Sequence, residues 1–166
     1  VNEMTDRVIT KYEQIAHNAG RACYYFAYAR NATSAPNVPV IRDLPMPHIV
    51  FTSPLTLEQM ADQFAGWNVD EGDLHIHFMT LYRGHNALLF EVHVGEATII
   101  QHLALRVSER AKREGREYTI QVSSMGHPRA TVGVHRAVAL LGEWLIGLHP
   151  DAHAMINKVA VNDGDD

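Results

Sequence analysis

Two strand-like runs, residues 73–82 and 87–94, flank the turn-forming Arg83-Gly84-His85-Asn86, and no other stretch constrains the fold as tightly. Successive side chains of a strand alternate between faces. In the first run Leu74, Ile76, Phe78, Thr80 and Tyr82 therefore share one side, and Asp73, His75, His77, Met79 and Leu81 the other. In the second run Leu88, Phe90, Val92 and Val94 form an apolar side opposite Leu89, Glu91 and His93. The apolar sides must meet the core together, so either even register sets Glu91 and His93 beside His75 and His77.

Around this hairpin the periodicities predict further elements. Met4, Val8, Tyr12 and Ile15 recur at helical spacing over residues 3–19, with Gly20 placed as a C-cap, and residues 22–28 read as an aromatic strand. Pro36, Pro39, Pro45 and Pro47 make residues 31–47 an extended loop, because proline removes donors and fixes φ. A short strand follows at 48–52. Thr56 and Gln59 form a capping box for a helix running to about Ala65, where Gly66 stops it. Residues 96–114 read as a helix with an apolar stripe of Ile99, Ile100, Leu103, Ala104 and Val107. Arg110, Lys112 and Arg113 suit its C-terminal dipole, and Gly115 closes it. A strand at 118–123, a strongly apolar helix at 131–148, a short helix to about residue 160 and an acidic tail at 161–166 complete the chain. Up to the helix at 131–148, the order αββαββαβα predicts one α+β domain spanning residues 1–166. Its architecture would be a two-layer α/β sandwich, with a largely antiparallel sheet and the helices on one face.

Composition narrows the function classes. The net charge of −5 argues against broad nucleic-acid binding, which needs a positive surface. A single cysteine, Cys23, allows no internal disulfide, and no apolar run is long enough to span a bilayer. Both features, with an N-terminus lacking a signal-like pattern, point to a cytoplasmic protein. Neither Gly-x-Gly-x-x-Gly nor Gly-Lys-Ser/Thr occurs, so no nucleotide cofactor is indicated. The unusual count is histidine, at 11. Histidine titrates near neutrality and is the commonest metal ligand.

Three sites compete for that chemistry. His75, His77, Glu91 and His93 offer three imidazoles and a carboxylate on one hairpin face, a donor set suited to Zn²⁺, Fe²⁺, Mn²⁺ or Ni²⁺. The same residues also suit the wet face of a half-buried sheet. The His-x-His spacing on a strand resembles cupin metal sites, but the glycine framework and downstream glutamate of that family are missing. Second, Ser124, His127, Arg129 and Thr131 lie between a strand and a helix, where free N–H groups can hold a small anionic ligand; an ordinary turn capped by Thr131 has the same composition. Third, Arg21, Tyr24, Phe26, Tyr28 and Arg30 alternate on one side of the first strand and offer a stacking face for single-stranded nucleic acid, though such aromatics more commonly pack in a core. The functional classes are thus a metal-binding domain, with or without catalysis; a non-catalytic ligand- or protein-binding module dimerising through helix 131–148; and a nucleic-acid binder.

Overall fold

The computed structural model describes residues 44–96, 99–124 and 127–160. By Cα proximity the described residues fall into two compact units, those within Arg42–Val94 and Gln101–Asp166 in one and those within Gly95–Ile100 in the other. Of the latter, the described residues are the strand ends at 95–96 and 99–100. The helix at 3–19, the aromatic strand, most of the proline-rich loop and the acidic tail lie outside the described residues.

Seven strands form one sheet: β1 (His48–Thr52), β2 (Asn68–Glu71), β3 (Leu74–Tyr82), β4 (Ala87–Glu96), β5 (Ile99–Ala111), β6 (Arg116–Val122) and β7 (His153–Asn157). Two α-helices are present among the described residues, α1 (Leu57–Gln63) and α2 (Val132–Gly147). The sheet order is β2-β3-β4-β5-β6-β1-β7. The β1–β6, β1–β7, β2–β3, β3–β4 and β5–β6 pairs are all antiparallel.

The sandwich expectation is overturned: the described residues are mostly antiparallel sheet. The helix expected over 96–114 is the long strand β5, and the short helix expected before residue 160 is the strand β7. Leu103, Leu105 and Val107 are all buried, a period of two that sends His102 and Ala104 to the opposite face. Leu103 and Val107 are also four apart, which is why the same residues mimic a helical stripe. Gly115 has φ +83°, but it serves the β5–β6 turn rather than a helix end. Lys112, one of the basic residues expected to serve a helix dipole, instead pairs across that hairpin with Glu117, and Arg116 pairs with Glu109. The strand β2 was not anticipated; Gly72, at φ +59°, turns it into β3.

Other expectations hold. Gln59 N–H donates to Thr56 Oγ1 at 3.1 Å, and Thr56 N–H donates to Gln59 Oε1 at 2.9 Å, so the capping box opens α1. Gly66 follows its end at φ +72°. The helix α2 presses Val134, Ala137, Val138, Leu141 and Leu145 into this chain's own core, opposite Ile49, Phe51 and Ile120 of the sheet. At α2 the buried His135 joins separate segments: its Nε2 lies 2.8 Å from the Pro45 carbonyl, and its Nδ1 accepts from Ala160 N–H at 2.8 Å.

Tyr118 of β6 is fully buried and stacks on Phe51, with ring centroids 5.3 Å apart, and its hydroxyl donates to the Leu55 carbonyl. Burial pushes its pKa well above the ordinary value, so the phenol stays a donor. Tyr118→Phe keeps the ring and deletes this bond. It is expected to cost about 1 kcal/mol, read as a lower urea midpoint with an unchanged m-value.

Candidate metal centre

The hairpin register places the polar side chains directly opposite one another. His75 pairs with His93 and His77 with Glu91, while Ile76 and Phe78 meet Val92 and Phe90 on the core side. The β2 register extends the pattern: Asp70 pairs with His75, and Asn68 with His77. A bulge between Phe78 and Thr80 ends the strict alternation, so that Leu81 pairs with Leu88 and packs against the core. Sequence alternation alone puts Leu81 on the histidine face; the extra residue in the bulge shifts it to the other side.

Glu91 sits between two imidazoles. Its Oε1 is 3.1 Å from His93 Nε2, and its Oε2 is 3.2 Å from His77 Nε2. From β5, His102 brings its ring against His93, with centroids 4.1 Å apart and planes at 69°. One donor atom from each of Glu91, His93 and His102 lies within 4.8 Å of the other two. Donors around a tetrahedral ion at about 2.1 Å stand about 3.4 Å from one another, so small side-chain rotations would draw these three onto one ion.

His93 is 2% exposed, and its pKa is lowered. Burial is the main cause and the charge of His102 the next, opposed by the attraction and hydrogen bond of Glu91. The ring is therefore held neutral at physiological pH, the form in which imidazole binds a metal. On the neighbouring strand His75 Nδ1 is bonded to Asp70 Oδ1.

The geometry redistributes the residues expected from sequence. Glu91 and His93 belong to the group of three donors, His77 holds the far oxygen of Glu91, and His75 is engaged by Asp70. His102 and Asp70 were missed, the first because β5 was read as a helix and the second because β2 was not read at all. Their signals were present: the Leu103-x-Leu105-x-Val107 alternation and the acid-flanked Gly72 turn.

The second candidate site is the loop that leads into α2. Gln101 braces it: Arg129 N–H donates to Gln101 Oε1 at 2.8 Å, while Gln101 Nε2 donates to the Arg129 carbonyl and to Thr131 Oγ1, each at 3.2 Å. Thr131 occupies the N-cap position of α2 but is fully buried and makes no side-chain cap bond. Ser124, His127 and Arg129 are exposed, with His127 in the left-handed region at φ 49°. Arg21, Tyr24, Phe26, Tyr28 and Arg30 lie outside the described residues.

No protein-family model, curated protein or solved structure matches the chain. Among the described residues, no helix is long and apolar enough to cross a membrane.

Proposed function

We propose that the chain is a transition-metal-binding domain whose ion is held by Glu91, His93 and His102. The observation that carries this reading is the convergence of their donor atoms from two adjacent strands, with the central imidazole buried. A wet sheet face supplies histidines and carboxylates, but it gives no reason to bury an imidazole between a second imidazole and a carboxylate. Two nitrogens and one oxygen suit Zn²⁺ or Fe²⁺, and three protein ligands leave room for a further donor. His77, at the second oxygen of Glu91, orients the carboxylate as outer hydrogen-bond partners of metal ligands commonly do.

The test is equilibrium dialysis of the full chain against Zn²⁺, followed by elemental analysis. About one ion per chain is expected for the parent. Glu91→Gln and His93→Gln preserve side-chain volume while removing a ligand, and should weaken binding by about 100-fold or more, beyond the usual effect of an outer partner. Parent protein that retains no zinc would reduce the cluster to a hydrogen-bonded patch of the sheet.

A further inference from the structure

The residues beside the three donors form a row across the sheet. Asp70 on β2 pairs with His75 on β3, His75 pairs with His93 on β4, and the His93 ring meets His102 on β5. Four adjacent strands thus contribute one carboxylate and three imidazoles in line. Opposed residues of an antiparallel pair carry their Cβ atoms about 4.5–5.5 Å apart, so the His75 ring is within a side-chain rotation of His93.

The contact between Asp70 Oδ1 and His75 Nδ1 fixes what His75 can offer. A carboxylate accepts a proton-bearing nitrogen, so Nδ1 carries the N–H and Nε2 keeps its lone pair. Metal-bound histidines are held this way: one nitrogen binds the ion and the other donates to a carboxylate, which fixes the tautomer and raises ligand basicity. The His75 side chain is 14% exposed and that of Asp70 40%, so the imidazole is the more buried partner of the pair.

We infer that Asp70 is a positioning residue that makes His75 the fourth ligand of the metal, closing a three-histidine, one-glutamate centre. The inference rests on the metal reading above. It assigns the site a class, because four protein ligands around one ion characterise a structural zinc centre, whereas a catalytic one keeps a position open. Zinc in this protein then ties β3, β4 and β5 together.

The experiment measures Zn²⁺ affinity by competition with a chromophoric chelator, and the visible spectrum of the Co²⁺-loaded full chain. Variants are His75→Ala, His75→Gln and Asp70→Asn, each checked for an unchanged urea midpoint without metal. Asp70→Asn should lower Zn²⁺ affinity about 10- to 100-fold, as loss of an outer carboxylate does. Both His75 variants should lower it further, and their Co²⁺ spectra should shift from the parent's as water takes the place of the imidazole. Parent protein that binds neither ion overturns the metal reading itself. Parent binding with unaltered affinity and spectrum in the His75 variants overturns the fourth ligand and leaves the three-donor site standing. A loss on His75 substitution without any loss in Asp70→Asn overturns the role of Asp70.

Discussion

Phe90→Ala is expected to destabilise the protein by about 3–5 kcal/mol, the range for truncating a well-packed core phenylalanine. Phe90 is fully buried on β4 and stands at the centre of an aromatic cluster. Phe64 of the α1 C-cap meets its ring edge-on at 5.1 Å, Trp67 at 5.8 Å, and Phe78 of β3 leans on it at 5.4 Å. Removing the ring loses its transfer free energy and leaves a cavity among rigid neighbours that collapse poorly. Phe90→Leu, which keeps most of the volume, should cost under about 1.5 kcal/mol. Urea midpoints for the two variants measure the difference. Because Phe90 and Glu91 lie on opposite faces of β4, Phe90→Leu should keep the parental zinc affinity. A Phe90→Ala midpoint equal to the parent's would mean that this face of β4 is not packed as described.

The hairpin was legible because two independent patterns agree there. Alternation fixes which side chains share a face, and burying the apolar face excludes odd registers. Either even register sets Glu91 and His93 beside His75 and His77, and the structure selects the one that pairs His75 with His93 and His77 with Glu91. The stretch 99–111 was not legible for the opposite reason: Ile99, Ile100, Leu103 and Val107 satisfy a helical stripe, while Leu103, Leu105 and Val107 satisfy a strand. Pairing with β4 and β6 decides between them, and that is a long-range fact. Gly115 gave no help, since a helix C-cap and a tight β-turn demand the same positive φ. The site inherits this ambiguity. Its β3 and β4 residues could be named from the hairpin, but His102 joins them only once β5 is a strand. Asp70 joins only once the four-residue β2 adds an edge to the sheet. The bulge after Phe78 has no sequence signature of its own, so the placement of Leu81 had to come from the structure.

Zinc should stabilise the folded chain, and acid should remove that stabilisation. An ion that binds only the folded state adds about 2.7 kcal/mol at a free concentration 100 times its dissociation constant. The metal-free protein already has a pH dependence with a defined sign. Unfolded His93 titrates near 6.5, whereas in the folded protein its pKa is lowered, chiefly by burial. Between the two values the unfolded chain binds more protons, so stability rises with pH there. The contribution is present in full above 6.5 and is lost as pH falls from that value to the folded pKa. Zinc steepens the same dependence, because its ligands must be deprotonated and protons compete with the ion. Urea midpoints at about pH 7.5 and about pH 5.5, with zinc and with a chelator, measure both effects at the histidine transition. The zinc increment should be large at the higher pH and shrink at the lower. The chelated protein should lose a smaller amount over the same interval. In His93→Gln the increment should vanish and the metal-free slope should flatten, since one residue supplies both a ligand and a suppressed proton site. An increment that survives His93→Gln would place the bound ion elsewhere, and a metal-free slope of opposite sign would show that His93 is not held neutral in the fold.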